Sequence, residues 1–196
     1  MKLSTLKKTI LFSFLGLLCS INLFAGNPVS VKSGNASVLR QSAKVILEID
    51  YSATKVGNQT LAEYHQERGE DWVRDWPREQ ETAASFFREA FKKKSKGLQM
   101  TTNQSAASYK MVIRVQNLDM GNAGSFIVAM ALGPFAGGKK AGGVIMVGTV
   151  EIIDLKTNAV VCVLYVDEVK GKSHVSETTR IGQMYTELAK NIAKIK

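Results

Sequence analysis

Two long runs rich in valine and isoleucine, joined by a short polar connection, constrain the fold of this chain most strongly. The first run covers residues 144–155 and the second covers 159–170, and Asp154 and Asn158 stand at the two ends of the connection. Both residue types suit a tight turn, since Asn tolerates the left-handed backbone conformation. The pattern therefore predicts a long β-hairpin.

Two upstream segments alternate apolar and polar side chains, which is typical of strands with one face in a core. In residues 44–51 the apolar set is Val45, Leu47, Ile49 and Tyr51. Residues 109–116 show the same alternation with Tyr109, Met111, Ile113 and Val115. Shorter strands are expected at residues 29–31 and 98–102.

Helical signals fill the interval between these strands. Thr60 is followed three residues later by Glu63, a capping box that predicts the start of a short helix. Gly69 interrupts that helix, and a second one is expected to continue to Lys94. Pro77 fits the first turn of this second helix, where its missing N–H is not needed.

A closing helix is predicted from about Glu177, and it brings the order of elements to strand, helices, strands, hairpin and helix. This order predicts an α/β (α+β) two-layer domain with a mixed β-sheet, a long β-hairpin and packed helices that include an amphipathic C-terminal one. The apolar stripe of that last helix consists of Ile181, Met184, Tyr185, Leu188, Ile192 and Ile195.

The first 25 residues have the pattern of a secretory signal peptide. Lysines precede a short apolar run, and small residues follow it, with cleavage expected after Ala25. Lipidation of Cys19 is a weaker alternative, because two leucines precede it where a small residue is usual. We therefore expect a signal peptide at 1–25, a lead-in segment at 26–42, one domain at 43–196 and a periplasmic or extracellular location, with outer-membrane association as a further option.

Export changes the composition of the folded protein. Removing residues 1–25 lowers the formal net charge from +9 to +6 and the length from 196 to 171 residues. Cys162 becomes the one remaining cysteine, which excludes an intramolecular disulfide, and its apolar surroundings predict a buried, inert thiol. Much of the positive charge lies at predicted helix ends, so it is weak evidence for nucleic acid, and we expect none as a partner.

A glycine-rich apolar stretch between residues 121 and 143 is open to several interpretations. Residues 133–140 match the phosphate-binding loop up to Lys139, but Lys140 occupies the position of the metal-binding Ser or Thr, and a strand follows instead of a helix. We interpret the segment as a hairpin tip with solvated lysines. A membrane-inserting hairpin over 125–153 is a further alternative.

Residues that would carry catalysis or bind a metal are few. His65 and His174 lie far apart in sequence, no cysteine pair exists for zinc, and no Gly-x-Ser-x-Gly motif is present. We therefore assign no catalytic residue, no metal ligand and no cofactor. Trp72 and Trp76, four residues apart, are expected to share a helix face, either packed at the helix start or as an aromatic platform. The candidate partner surface consists of Trp72, Trp76, Phe135, Lys139 and Lys140.

The hairpin and the last helix resemble a group of bacterial envelope domains. The residues concerned are 148–161, Asp167–Gly171 and Arg180-Ile181-Gly182, with Asp50-Tyr51-Ser52 at the end of the first strand. They are similar to the CsgG group, to outer-membrane activators of penicillin-binding proteins and to the N-terminal domain of TolB, and to uncharacterised secreted proteins of Bacteroidetes type. The resemblance implies an α/β envelope domain that binds other proteins, and it transfers no catalytic residue.

The sequence thus leads to three hypotheses about function. The first is a non-enzymatic periplasmic or secreted interaction module with an envelope protein as its partner. The second is an envelope hydrolase or carbohydrate-binding protein that uses Trp72 and Trp76 or residues near His174. The third is an outer-membrane assembly component that inserts a β-hairpin.

Overall fold

The described part of the computed structural model covers residues 27–121 and 142–196, and it contains eight strands and three α-helices. The strands are β1 (Val29–Gly34), β2 (Lys44–Asp50), β3 (Lys55–Val56), β4 (Gln59–Thr60), β5 (Gln99–Met100), β6 (Tyr109–Asp119), β7 (Ile145–Asp154) and β8 (Ala159–Lys170). The α-helices are α1 (Leu61–Glu67), α2 (Glu70–Lys94) and α3 (Glu177–Ile192), and short 3-10 helices span Ala36–Arg40 and Gln104–Ala106.

The strands form one mixed sheet in the order β1-β8-β7-β6-β2-β5. Neighbours from β1 to β6 are antiparallel, whereas β2 runs parallel to both β6 and β5. The β3–β4 hairpin lies beside the end of β6. The predicted α/β class with a mixed sheet is therefore confirmed, and the segment before residue 42 contributes the edge strand β1.

The long hairpin formed by β7 and β8 is confirmed together with its turn. Asn158 adopts the left-handed conformation, with φ of 55°. The Asp154 carboxylate accepts hydrogen bonds from the backbone amides of Lys156 and Thr157 at 2.8 and 3.0 Å. These bonds fix the turn and hold the pKa of Asp154 below its ordinary value. Cys162, in β8, is fully buried as predicted.

Helices α2 and α3 lie side by side against the sheet and point in the same direction. Near the start of α3, Gly182 contacts the ring of Phe86 from α2, and Lys93 and Lys190 line a common groove further along. The predicted stripe of α3 is buried through Ile192. The core between the helices and the sheet includes Phe87, Phe91, Tyr185, Leu188, Met111, Ile113, Ile152 and Leu164.

The prediction for Pro77 was wrong. Helix α2 begins at Glu70, so Pro77 lies inside the helix and not in its first turn. A proline there cannot donate the hydrogen bond to the carbonyl four residues earlier, which weakens a helix. Packing of the 25-residue helix on its neighbours overrides this local penalty.

Several expectations concern residues outside the described ranges. These are the signal peptide, Cys19, the apolar and glycine-rich stretch with its phosphate-loop-like motif, and the candidate residues Phe135, Lys139 and Lys140. Strand β7 begins at Ile145 and lies within the sheet, and Val144 and Met146 are fully buried. Among the described helices none is long and apolar enough to cross a membrane.

Candidate binding cleft

The floor of the cleft is built where strand β2 ends. Tyr51 follows β2 directly, and a turn forms because the amide of Thr54 donates to the Tyr51 carbonyl at 3.0 Å. The amide of Ser52 donates to the Asp50 carboxylate at 2.9 Å, which contributes to the lowered pKa of that carboxyl. The Thr54 hydroxyl donates to the Val115 carbonyl at 2.8 Å, and this bond ties the turn to the neighbouring strand β6.

The hydroxyl of Tyr51 is fixed from below by the closing helix. The Tyr185 hydroxyl donates to the Tyr51 hydroxyl at 2.7 Å, and both side chains are buried. Burial raises the pKa of both phenols, so both stay neutral in the physiological range. This bond holds the Tyr51 ring in one orientation at the cleft floor.

Helix α1 forms one wall, and its start is fixed by the predicted capping box. The Thr60 amide donates to the Glu63 carboxylate at 2.8 Å, and the Glu63 amide donates to the Thr60 hydroxyl at 3.3 Å. These bonds hold the pKa of Glu63 below its ordinary value. Because the start of the helix is fixed, Leu61 and His65, one turn apart, both face inwards.

A sharp turn at Gly69 brings the second wall into place. Gly69 has φ of 102°, a backbone conformation that disfavours residues with a Cβ, and it caps the start of α2. Trp72 and Trp76 then face α1 together. The His65 ring lies 4.4 Å from the ring of Trp76 and 6.3 Å from that of Trp72, centroid to centroid. The Trp76 ring in turn meets Tyr51 edge-on at 5.2 Å.

These elements enclose an open cleft of about 400 Å³. Trp76 is half-buried, whereas Val73 at the rim is 50% exposed. The surface that faces the space is more apolar than polar, although several lining side chains carry hydroxyl or amide groups, and none of the described lining residues is acidic. The lining consists of Tyr51, Ser52, Thr54, Thr60, Leu61, Ala62, His65, Gln66, Val73 and Trp76.

His65 is the one imidazole of the cleft, and it is buried with 5% exposure. Its Nε2 atom has no hydrogen-bond partner among the described residues. Burial among the aromatic rings, and to a smaller extent the charge of Arg68, lowers the pKa of His65. The imidazole is therefore neutral at pH 7.

A cluster of charged residues braces the outer side of the two walls. The Arg68 guanidinium lies over the Trp72 ring, 4.0 Å from its centroid, and forms an ion pair with Glu177 at 3.0 Å. Arg180, which is 3% exposed, approaches the same carboxylate at 3.6 Å and donates to the His174 carbonyl at 3.2 Å. Burial raises the pKa of Glu177, and the two arginines partly offset this effect.

The structure thus brings Trp72 and Trp76 to one helix face, as their spacing predicted. It places His174 in an exposed loop, where its Nδ1 accepts a hydrogen bond from the Ser176 amide at 3.0 Å. Sequence reasoning missed the roles of Tyr51 and His65. The sequence does contain one signal for this arrangement. Leu61 and His65 before Gly69, and Trp72 and Trp76 after it, are each four residues apart and so share a helix face.

Comparisons with known proteins give structural neighbours alone. No protein-family model and no curated protein matches the chain. The PelC dodecamer from Paraburkholderia phytofirmans is 13% identical, and the match covers 83% of this chain and 96% of that one with a TM-score of 0.43. A point variant of that dodecamer is also 13% identical, with coverage of 84% and 95% and a TM-score of 0.41.

Proposed function

We propose that this protein is a non-enzymatic interaction module of the cell envelope that binds an apolar segment of a partner protein in the aromatic cleft. The observation that carries the proposal is the half-buried Trp76, held beside an open, mostly apolar cavity by His65 and Tyr51. Tryptophan and tyrosine are enriched among the few residues that carry most of the binding energy at protein interfaces, where the partner completes their desolvation.

The volume of the cleft and the fixed position of its walls suit the binding of a partner's side chain. A volume of about 400 Å³ lies within the usual range for ligand sites, and a few polar groups, Thr60 and Gln66 among them, stand at its edge. The Tyr51–Tyr185 bond and the capping box of α1 fix the walls in advance. A preformed site lowers the entropic cost of binding.

The chemistry of the lining supports binding without catalysis. A general base needs a substrate proton within reach, and a nucleophile needs a base beside it. Within the described part of the chain, His65 Nε2 has no hydroxyl or carboxylate within hydrogen-bond distance, and no acidic side chain lines the cleft. The described residues contain no group of three His, Cys, Asp or Glu side chains arranged to hold a metal.

The envelope location in this proposal rests on the sequence. Residues 1–25 have the pattern of a signal peptide, and the hairpin with the last helix resembles the envelope domains of the CsgG and TolB type. Both features favour a partner in the periplasm or outside the cell.

Carbohydrate binding is the second candidate, favoured by the half-buried ring of Trp76 next to the hydroxyl of Thr60 and the amide of Gln66. Sugars stack on exposed indole faces. A platform of two tryptophans is disfavoured, because the Arg68 guanidinium already covers a face of Trp72 at 4.0 Å.

Site-specific photo-crosslinking tests the proposal. A benzophenone amino acid replaces Val73 at the cleft rim, and in a second chain it replaces Val160, which is equally exposed at the far hairpin. We expect the chain substituted at Val73 to capture one envelope protein that the chain substituted at Val160 does not. A captured glycan would favour the carbohydrate alternative.

A matched pair of charge substitutions tests whether the crosslinked partner binds in the cleft. Ala62→Glu places a carboxylate at the cleft mouth, and Ala159→Glu places one at the exposed start of β8. The first is expected to abolish crosslinking from Val73, and the second is expected to leave it unchanged. Equal capture by both variants would contradict the cleft as the binding site.

A further inference from the structure

The opposite end of the helical layer carries a concentrated positive charge. Here the chain forms a cavity of about 310 Å³ between the ends of α2, α3 and the 3-10 helix Ala36–Arg40. Among the residues that the structure describes, no acidic side chain lines this cavity. Its basic side chains are Arg40, Lys94, Lys96, Lys194 and Lys196.

The five cations come from three separate segments that tertiary contacts hold together. The Leu98 amide donates to the Leu39 carbonyl, which joins the turn after α2 to the 3-10 helix. Gly97 permits this contact, because a Cβ there would lie 2.3 Å from the Leu39 carbonyl oxygen. The Ser95 hydroxyl donates to the Leu98 carbonyl at 2.9 Å and closes the turn. The grouping is therefore a product of the fold.

Helix dipoles explain only part of this charge. Two helices, α2 and α3, end here, and each C-terminus carries about half a negative charge. The two dipoles together offset about one of the five cations. Within residues 27–121 and 142–196, none of the five forms an ion pair; Lys194 donates to the Asn191 side chain at 3.2 Å. A surplus of positive charge remains for an external anion.

The floor of the cavity is apolar, and the rim continues onto the groove between the helices. Phe91 and Ile192 are buried beneath the cations, and Ile195 is half-buried. The adjoining groove shares Lys94 and adds Lys93 and Lys190, together with the acidic Glu89. Lys190 is paired with Glu187. Basic side chains around an apolar floor are complementary to an amphiphilic surface that presents several anionic groups in one plane.

We infer that this cluster, which we call the basic rim (Arg40, Lys94, Lys96, Lys194 and Lys196), binds the phosphate headgroups of an anionic membrane surface. Basic side chains near an anionic bilayer strengthen binding by about fivefold each. The lysine stems lie along apolar surface while the ammonium groups reach the phosphates.

The inference is independent of the proposed function, because the two sites lie at opposite ends of α2. Trp72 and Lys94 are separated by 22 residues of one helix, which is about 33 Å at about 1.5 Å per residue. A chain that rests on a membrane through its basic rim therefore presents the aromatic cleft away from the lipid. Loss of one activity leaves the other intact.

Vesicle binding by the full chain tests the inference. The triple variant Lys94→Gln, Lys96→Gln, Lys194→Gln is compared with a control of equal charge, Lys44→Gln, Lys156→Gln, Lys172→Gln, whose lysines are exposed elsewhere. We expect the full chain to bind phosphatidylglycerol-containing vesicles more tightly than pure phosphatidylcholine vesicles. The rim variant should lose roughly 100-fold in affinity for the anionic vesicles, and the control should lose less than about threefold. All chains share residues 1–26, so that segment contributes equally.

Two further measurements identify the site and the anion. Lysine acetylation read by mass spectrometry should show protection of Lys94, Lys96 and Lys194 by anionic vesicles, while Lys156 and Lys172 remain reactive. Inorganic phosphate at the same phosphate concentration should not displace the chain. Equal losses in both triple variants, equal binding to both vesicle types, or displacement by inorganic phosphate would each overturn the inference.

Discussion

The imidazole of His65 packs against the indole of Trp76 with the ring centroids 4.4 Å apart, and this contact joins the two helical walls of the cleft. His65 belongs to α1 and Trp76 to α2, on either side of the turn at Gly69. Since the Nε2 atom of His65 has no partner among the described residues, the ring stays neutral and acts as an aromatic surface. The contact makes the geometry of the cleft sensitive to protonation of one residue.

The stability of the protein should fall as His65 becomes protonated. Burial, followed by the Arg68 charge, places the pKa of His65 below 6.5 in the folded chain. Because the unfolded chain takes up its proton first, the stabilisation is complete above about pH 6.5 and is lost as the pH falls through the lowered pKa. Urea unfolding between pH 7.5 and 5 measures this loss.

Paired histidine variants isolate that contribution. His174→Asn serves as the common background, so that one imidazole remains, and His65→Asn introduced into it should flatten the pH dependence in this window. The raised pKa of Glu177 acts in the opposite direction at lower pH, so the comparison between variants is the informative quantity. An NMR titration of the His174→Asn chain that gave an imidazole pKa at or above 6.5 would contradict the burial of His65.

The hydroxyl pair beneath the cleft should show strong coupling. Tyr185→Phe leaves the Tyr51 hydroxyl buried without its 2.7 Å partner, and Tyr51→Phe does the same to Tyr185. Each single variant should lose about 1–3 kcal/mol of unfolding free energy, because an unpaired buried polar group is costly. The double variant removes both groups and should be more stable than the sum of the single losses predicts. Additive losses in urea unfolding would show that the hydroxyls do not interact.

Local signals predicted the hairpin turn and the start of α1 correctly. The Asp154 carboxylate accepts hydrogen bonds within the turn, and Asn158 adopts the left-handed conformation there. The Thr60–Glu63 capping box likewise involves only residues that are near each other in sequence. Pro77 was misplaced because its own preference for a helix start is weaker than the packing of the long helix around it. Propensity is a weak guide where tertiary contacts decide.

The geometry of the cleft and of the basic rim could not be predicted from the sequence, and the reason is the same for both. Tyr51 follows β2, whereas His65 and Trp76 lie on α1 and α2, and the three rings meet only because the chain turns back at Gly69 over the end of β2. The lysines at the two predicted helix ends, Lys94 and Lys194 among them, could form a basic patch, but lysines are common at helix ends, and the sequence does not show that these two ends share one cavity. That follows from α2 and α3 running in the same direction, which depends on the topology of the sheet.

Substitution of Gly182 should separate the two long helices. A Cβ at this position would lie 2.7 Å from the Phe86 ring, which is closer than van der Waals contact allows. Gly182→Ala should therefore lower the unfolding free energy by about 1–3 kcal/mol. Without a steric conflict, alanine stabilises a helix interior by about 1 kcal/mol relative to glycine. The sign of the change in unfolding free energy therefore shows whether the conflict with Phe86 exists.

A second substitution distinguishes steric conflict from other effects of Gly182→Ala. Phe86→Leu removes the ring that a Cβ would strike, and in that background Gly182→Ala should be neutral or stabilising. Thermal unfolding of the original chain, the two single variants and the double variant gives the double-mutant cycle. An increase in stability from Gly182→Ala alone would mean that the helices do not approach as closely as described.

The thiol of Cys162 should resist alkylation in the folded protein. Cys162 is fully buried in β8, and burial raises the pKa of its thiol, so the reactive thiolate is scarce and inaccessible. In a Cys19→Ser background, iodoacetamide should label Cys162 only after unfolding, as measured by intact mass. The matched control is the chain with Val160→Cys and Cys162→Ala, which places the thiol at a position 51% exposed two residues earlier and should react within minutes. Comparable native labelling of both chains would place Cys162 on the solvent side of β8 and would contradict the register between β7 and β8.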